Sequence, residues 1–112
     1  MIEASCHCGA LRMEIAAPPQ MVNECGCSIC RKLGALWAYY SPDKVRLIPP
    51  SGATSIYLRG ERKLEFHSCK TCGCTTHWTP VDRSKNRMGV NARLMAPEVL
   101  SAARMERSAG PD

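Results

Sequence analysis

Runs of alternating or β-branched residues recur along the chain, with proline and glycine between them. Pro-Pro at 18–19 and 49–50 and Ser-Gly at 51–52 mark loops, because these residue types interrupt regular structure. Period-2 alternation and β-branched or aromatic enrichment predict strands. The predicted strands are Leu11–Ala16, Ala35–Tyr40, Lys44–Ile48, Thr54–Leu58, Lys63–His67, Thr75–Thr79 and Arg87–Leu94.

Helical patterns are scarce. Ser28–Leu33 has room for one turn, and Pro97–Arg104 places a proline at a helix start with Glu98 next to it. We expect a frayed tail over residues 106–112. The patterns therefore predict one small, mostly β domain over residues 1–105, with long loops and little helix.

The chain contains few large aliphatic residues for a folded domain. Leu, Ile, Val and Phe number 19 of 112 residues, and domains this small usually need disulfides or metal. The eight cysteines are the candidates. The first residues lack a basic segment followed by an apolar one, so we expect no signal peptide and a cytoplasmic protein. Because cytosolic thiols stay reduced, paired cysteines there favour metal binding over disulfides.

The formal net charge of +5 adds little to this picture. The basic residues are scattered, which fits a solvated surface first and a preference for small anionic ligands second. Nucleic-acid binding needs a denser basic face and more aromatic residues than one Phe, three Tyr and two Trp. No apolar run approaches the roughly 18–20 residues of a membrane span. We therefore expect neither nucleic acid nor membrane as a partner.

The cysteines fall into three groups: Cys6-His-Cys8, Cys25-Gly-Cys27-Ser-Ile-Cys30 and Cys69-Lys-Thr-Cys72-Gly-Cys74. In Cys-x-Cys an extended backbone points both side chains to one side. In Cys-x-x-Cys-Gly the glycine can take the positive φ that a tight turn often requires. Two thiolates from each of two segments make a tetrahedral zinc site. The first pair and the Cys-x-x-Cys pair fit this scheme, although spacing also allows either to join the middle group.

The middle group supplies three thiolates, from Cys25, Cys27 and Cys30, within six residues. Three protein ligands with one exchangeable ligand are typical of catalytic zinc. The group therefore predicts a zinc with its fourth position open to a small ligand. The alternative is closure by a fourth protein ligand, for which the candidates are Cys74, the strongest, and His77, His67 and His7.

Four stretches together resemble the glutathione-dependent formaldehyde-activating enzyme family, whose relatives include centromere protein V: ASCHCGALRMEI, ECGCSICRKLGALWAYY, LEFHSCKTCGCTTHW and GVNARL. The resemblance covers roughly residues 4–96 and rests on three cysteine motifs in the right order. It implies a β-tent fold with two zinc ions. The implied ligands are Cys6, Cys8, Cys69 and Cys72 for a structural zinc, and Cys25, Cys27 and Cys30 for a second, thiol-accessible zinc.

The family's namesake activity joins formaldehyde to glutathione. The resemblance therefore implies a zinc-dependent carbon–sulfur lyase or synthase acting on adducts of glutathione or another small thiol. An open zinc position suits this chemistry, because it can hold a substrate sulfur as thiolate at neutral pH. Two other interpretations are a non-catalytic, zinc-stapled binding module and a thiol or metal sensor.

Several side chains near these motifs have two possible roles. Arg31 and Lys32 can bind the carboxylates of glutathione, or they can screen the thiolate charge or face solvent. The aromatic residues of the run WAYY, residues 37–40, are interpreted as core rather than pocket lining. His67 and His77 flank the last cysteine motif, where a structural or surface role is favoured over proton transfer.

Overall fold

A computed structural model describes residues 1–59 and 62–110, and these residues form ten strands and two short helices. The strands are β1 Ile2–Ser5, β2 Arg12–Ile15, β3 Met21–Cys25, β4 Trp37–Tyr40, β5 Val45–Ile48, β6 Thr54–Leu58, β7 Leu64–Cys69, β8 Thr75–Pro80, β9 Met88–Asn91 and β10 Arg104–Ser108. The helices are α1 Ser28–Leu33 and α2 Pro97–Ala102, and single 3₁₀ turns cover Pro42–Lys44 and Ala92–Leu94. No helix among the described residues is long and apolar enough to cross a bilayer.

The strands form two sheets. A three-stranded sheet has the order β1-β2-β5, and a seven-stranded sheet has the order β10-β3-β4-β9-β8-β7-β6. β10 pairs with β3 in parallel, and the other pairs of neighbouring strands among the described residues are antiparallel. The predicted mostly β fold with little helix is confirmed.

The main core lies between the two sheets. Met13 and Ile15 are two residues apart on β2, so both point to the same side, and both are fully buried. They pack against Ala38 of β4 and Val90 of β9, which are paired across the large sheet. This core fixes one face of the large sheet against the small one.

The opposite face of β4 carries a second apolar cluster. Trp37 alternates with Ala38, so its indole lies on the face of the sheet away from the main core. It packs there with Phe66 of β7 and with Cys27 and Cys30, the cysteines around α1. One four-residue strand therefore supports the core with one set of side chains and the middle cysteine group with the other.

Gly89 shapes this second face. It lies on β9 directly opposite Tyr39 of β4 on one side and Trp78 of β8 on the other. A Cβ built on Gly89 would overlap the indole ring of Trp78. The absence of a side chain therefore lets the Trp78 indole lie over β9 and approach Tyr39, with ring centroids 6.3 Å apart.

The end of the chain differs from the predicted frayed tail. Residues 104–108 form β10, which pairs with β3 from Arg104 opposite Met21 to Ser108 opposite Cys25. Arg107 also forms an ion pair with Glu24, with Nε and Oε1 3.1 Å apart. Backbone pairing with an available sheet edge orders this polar segment without burying its side chains. Of the predicted tail, residues 111 and 112 lie outside the described residues.

Gly89→Ala is expected to destabilise the protein by about 1–3 kcal/mol, because the added methyl group forces the Trp78 indole out of its position. Thermal or urea unfolding measures the change. Ser55→Ala, on the exposed side of β6, is the control and should unfold as the wild type does. An unchanged unfolding midpoint for Gly89→Ala would contradict this account of how Trp78 packs over Gly89.

Candidate metal centres and the thiol-facing cavity

The first centre contains four thiols from two distant segments. Cys6 and Cys8 follow β1, Cys69 ends β7, and Cys72 lies in the turn before β8, and their sulfur atoms all lie within 4.8 Å of one another. The Sγ–Sγ separations are 3.7 Å for Cys6 and Cys8 and 3.6 Å for Cys8 and Cys69. Four thiolates about 2.3 Å from one zinc ion in tetrahedral geometry are about 3.8 Å apart. The group can therefore hold a metal ion with little rearrangement.

Backbone amides stabilise the thiolates of this centre. The N–H groups of Leu11 and Thr71 donate to the sulfurs of Cys6 and Cys69, each at 3.4 Å. Hydrogen bonds from the backbone N–H groups of Cys74 and Cys8 lower the pKa of Cys72 to about 5. Such donors favour the charged form that ligates metal.

The turn after Cys69 depends on glycine. Gly73 has φ +81°, and its N–H donates to the carbonyl oxygen of Cys69 at 3.0 Å. This left-handed conformation is accessible to glycine without steric cost. The predicted role of Gly73 in the Cys-x-x-Cys-Gly turn agrees with the structure.

The second centre is formed by Cys25, Cys27 and Cys30, whose sulfur atoms also lie within 4.8 Å of one another. Cys25 is the last residue of β3. Cys27 is the N-cap of α1, and its sulfur accepts a hydrogen bond from the Cys30 backbone N–H at 3.5 Å. The start of α1 thus brings the sulfurs of Cys27 and Cys30 close to the sulfur of Cys25, which lies at the end of β3.

Trp37 contacts this centre directly. Its indole Nε1 donates to the sulfur of Cys30 at 3.2 Å. Burial raises the pKa of Cys30 to about 12, although the Trp37 hydrogen bond opposes the rise. Without a cation the Cys30 thiol keeps its proton at neutral pH, so metal binding there releases a proton.

No protein side chain closes the second centre within residues 1–59 and 62–110, since no fourth Cys, His, Asp or Glu joins it there. Cys74, the strongest candidate for closure, packs instead with Cys6 and Cys69 at the first centre. Its carbonyl oxygen accepts a hydrogen bond from the Cys69 N–H at 2.9 Å. His7 is exposed in the turn between the two cysteines of the first group.

The other two histidines form a pair of their own. The rings of His67 and His77 stack with centroids 4.1 Å apart. Burial lowers the pKa of His77 to about 3 and also lowers the pKa of His67, so both rings are neutral at pH 7. Thr76 Oγ1 lies 3.3 Å from the His67 carbonyl oxygen and 2.8 Å from His77 Nδ1, within hydrogen-bond distance of both. These contacts fit the structural role favoured from the sequence.

A cavity of about 330 Å³ lies beside the three thiols of the second centre. Its walls include the aromatic side chains of Trp37, Tyr39, Phe66 and Trp78, and we call it the thiol-facing cavity. Phe66 comes from β7 and Trp78 from β8, where they are paired across the strands. The cavity combines three sulfur ligands with an aromatic wall.

Tyr39 presents a polar group to this cavity. Its hydroxyl oxygen accepts a hydrogen bond from Asn23 Nδ2 at 2.8 Å, which leaves its own O–H able to donate. Burial raises the pKa of Tyr39, so the hydroxyl stays protonated at neutral pH. The Arg87 guanidinium lies over the ring, 4.1 Å from its centroid. Trp37 and Tyr39 therefore belong to an apolar cluster, as the sequence predicted, and also line the cavity, which it did not, whereas Tyr40 packs against the main core as expected.

The two basic residues proposed from the sequence, Arg31 and Lys32, do not line the thiol-facing cavity. Arg31 lines a separate cavity of about 190 Å³ on another side of the second centre. Lys32 is exposed near the end of α1 and does not line the thiol-facing cavity. Arg59 and Arg87 line that cavity instead. Sequence spacing did not reveal them, because they reach the cavity through the strand order rather than through proximity along the chain.

The segment after β10 covers one side of the second centre. The Gly26 N–H donates to the Ser108 carbonyl at 2.7 Å, and a Cβ on Gly110 would lie 2.7 Å from the Cys25 sulfur. It would also lie 2.6 Å from the Cys27 Cβ. A side chain at residue 110 would therefore collide with the thiols.

This architecture defines a small β protein with two separate cysteine centres, one of four thiols and one of three thiols beside a cavity. The family model described as "Glutathione-dependent formaldehyde-activating enzyme" matches residues 1–107, and the chain belongs to this family. The resemblance found in the sequence motifs is confirmed.

Two individual proteins extend the comparison. A protein of Halomonas elongata named "Putative glutathione-dependent formaldehyde-activating enzyme" is 54% identical over 81 residues, which cover 64% of this chain and 52% of that protein. The chain thus spans about half the length of this curated relative. The crystal structure of a Rhodobacter sphaeroides protein matches with a TM-score of 0.74 and 28% identity, covering 93% of this chain and 99% of that one.

The two centres should respond differently to loss of one thiol. Cys6→Ser should unfold or aggregate the protein, because a metal ion held at a structural site contributes folding free energy on the order of 10 kcal/mol in small zinc domains. Cys27→Ser should keep native circular dichroism and bind one metal ion fewer per chain. Metal analysis and thermal unfolding of both variants test this division, and a native melting temperature for Cys6→Ser would contradict it.

Proposed function

We propose that both centres bind zinc and that the second zinc carries an exchangeable position at which the protein adds formaldehyde to a small thiol such as glutathione. The proposal rests on one observation. Cys25, Cys27 and Cys30 gather three ligand sulfurs beside a cavity, and no fourth protein ligand joins them among the described residues. Three protein ligands and an exchangeable one are the arrangement of catalytic zinc. Family membership supports the same chemistry.

Zinc, when bound, would hold the substrate sulfur as a thiolate at neutral pH. The sulfur lone pair would form a bond to the formaldehyde carbon, the carbonyl π pair would move to oxygen, and a proton from solvent, replacing the one that the thiol gave up on binding, would complete the hydroxymethyl product. The reverse reaction releases formaldehyde from the same adduct. The protein therefore acts as a carbon–sulfur lyase or synthase, according to the concentrations of its reactants.

Tyr39 is suited to act on the oxygen. Its hydroxyl lines the cavity and is oriented by Asn23, which uses the oxygen as acceptor and leaves the proton available. A hydrogen bond donated from Tyr39 would stabilise negative charge as it develops on the formaldehyde oxygen.

A reducing compartment such as the cytoplasm is part of the proposal. All eight cysteines are free thiols, and the seven in the two centres must stay reduced to act as ligands. Oxidation of any close pair would remove two ligands at once.

Glutathione is expected to bind the zinc-loaded protein with proton release, because the thiol enters the metal site as thiolate. Binding should vanish in Cys27→Ser and persist in Cys74→Ser, since Cys74 lies at the other centre. Calorimetry in two buffers of different ionisation enthalpy reports both the affinity and the proton. Binding that appears only after Cys74 is replaced would make the second centre structural and favour the non-catalytic binding module.

Tyr39→Phe should lower the rate of S-hydroxymethylglutathione formation by roughly 10- to 100-fold while glutathione affinity stays near that of the wild type. NMR exchange spectroscopy at equilibrium measures the forward and reverse rates. Tyr57→Phe is the matched control, because Tyr57 is exposed on β6 and far along the sheet order from β4. Equal rates for the two variants would remove Tyr39 from the mechanism.

A further inference from the structure

A row of paired side chains crosses the large sheet on the face that packs in the main core. From β4 to the edge strand β6, its members are Ala38, Val90, His77, His67 and Ile56. Residues paired across neighbouring strands project to the same face of a sheet. The row is therefore apolar on β4 and β9, and it changes to two imidazoles on β8 and β7. Burying polar rings in a core-facing row costs free energy unless their nitrogens are hydrogen-bonded.

A cavity of about 250 Å³ lies against the histidine end of this row, and we call it the histidine cavity. The last three members of the row, one each from β8, β7 and β6, line it from the large sheet. Leu47 of β5 and Leu11, the residue before β2, line it from the side of the small sheet. The loop over residues 49–53 forms a further part of its wall. The cavity therefore lies between the two sheets, and much of its wall is apolar.

One ring nitrogen of the histidine pair has no hydrogen-bond partner among the described residues. His67 is satisfied at both nitrogens, since Nδ1 lies 2.9 Å from Thr54 Oγ1 and Nε2 lies 3.0 Å from Thr79 Oγ1. His77 Nδ1 lies 2.8 Å from Thr76 Oγ1, whereas His77 Nε2 meets no donor or acceptor in the described part of the chain. His77 is only 1% exposed. Buried polar atoms of this kind usually meet a ligand or an ordered water.

The chemistry of this nitrogen limits what can bind it. Nε2 lies at the end of the imidazole remote from Cβ, so it points away from β8 and toward the small sheet. Burial lowers the pKa of His77 to about 3, so the ring is neutral at pH 7. A neutral imidazole nitrogen donates or accepts one hydrogen bond according to its tautomer, and a hydroxyl group fits either case. Arg83 also lines the cavity, but its charge is already paired with Glu65.

We propose that the histidine cavity binds a small uncharged molecule with a hydroxyl group on an aliphatic body, and that the hydroxyl group bonds to His77 Nε2. The cavity volume is several times the roughly 30 Å³ of one water molecule, so a carbon skeleton fits beside the apolar wall. The site is separate from the thiol-facing cavity, because Trp78, the next residue on β8, lines that cavity from the opposite face of the sheet. It is therefore independent of the proposed function.

Leu11 connects this site with the first centre. Its side chain lines the histidine cavity and packs with Cys6 and Cys69 in one buried cluster. A ligand that binds only the folded protein stabilises it by mass action. An occupied cavity therefore supports the packing around the four-thiol centre, and the melting temperature should rise with ligand concentration.

Two probes test the site in the wild type. Cyclopentanol carries one hydroxyl group on an uncharged aliphatic ring, and cyclopentanecarboxylate carries a charged group on the same ring. NMR of protein labelled with nitrogen-15 in its histidine rings follows His77 Nε2 directly. Cyclopentanol should shift this resonance saturably, whereas cyclopentanecarboxylate should not.

Three variants locate the binding. His77→Phe keeps a ring but removes the hydrogen bond, so cyclopentanol affinity should fall by about 3- to 10-fold, with the stacked His67 ring as the reporter. Ile56→Trp adds bulk to the cavity wall from the exposed edge strand and should also weaken binding several-fold, even if His77→Phe does not fold. Tyr57→Trp adds the same bulk on the opposite face of β6 and should bind as the wild type does.

Each contrary result overturns a stated part of the inference. If cyclopentanol causes no saturable shift up to its solubility limit, the cavity holds water only and the proposed site does not exist. Equal affinity in the wild type and a folded His77→Phe would remove the hydroxyl contact. Equal binding in the wild type and Ile56→Trp would place the probe elsewhere, and equal binding of the carboxylate would contradict the preference for an uncharged ligand.

Discussion

The fold depends on close approach between thiol groups that are far apart in sequence. Cys8 and Cys69 are 61 residues apart, yet their sulfurs lie 3.6 Å from each other. Four thiolates at such distances repel strongly unless a cation or protons neutralise them. Metal binding at this point would therefore tie the small sheet to the hairpin of β7 and β8. In a domain with so few large aliphatic residues, such a tie adds substantially to the core that packs between the two sheets.

Side chains alternate between the two faces of the large sheet, so one face packs in the main core and the other carries the second cysteine centre and its cavity. On β4, Ala38 faces the main core, whereas Trp37 and Tyr39 face the second centre and its cavity. Because side chains on a strand alternate with a period of two residues, the register of β4 with β9 decides which residues face the core and which face the cavity. The same constraint means that a shift of one residue would exchange the two faces and destroy both the core and the cavity.

The sequence predicts well what depends on local spacing and poorly what depends on register. The cysteine groups and the bounds of α1 follow from short motifs, and both appear in the structure as expected. β10 was missed because its residues, RMERS, show no apolar alternation, and its order comes from backbone pairing with β3. The sequence pattern did not indicate the structural role of Gly89 either. Its role exists only because Tyr39 and Trp78 become its neighbours across the sheet.

The β9 region shows a second limit of pattern reading. The predicted strand Arg87–Leu94 stops at Asn91, after which residues 92–94 form a 3₁₀ turn. The Asn91 side chain accepts a hydrogen bond from the Arg93 N–H at 3.2 Å, and its Nδ2 donates to the Thr75 carbonyl at 2.9 Å. The apolar alternation alone predicts that the strand continues past Asn91. It ends there because the polar Asn91 side chain caps the turn that follows.

The parallel pairing of β10 has a practical consequence for anyone who handles this protein. Gly110 lies against the thiols of the second centre, so any residues that follow it, native or added, begin beside a proposed metal position. A polyhistidine tag fused close behind residue 110 would place imidazoles within reach of that metal and compete with a substrate sulfur. Purification through the opposite end of the chain avoids supplying the fourth ligand by accident.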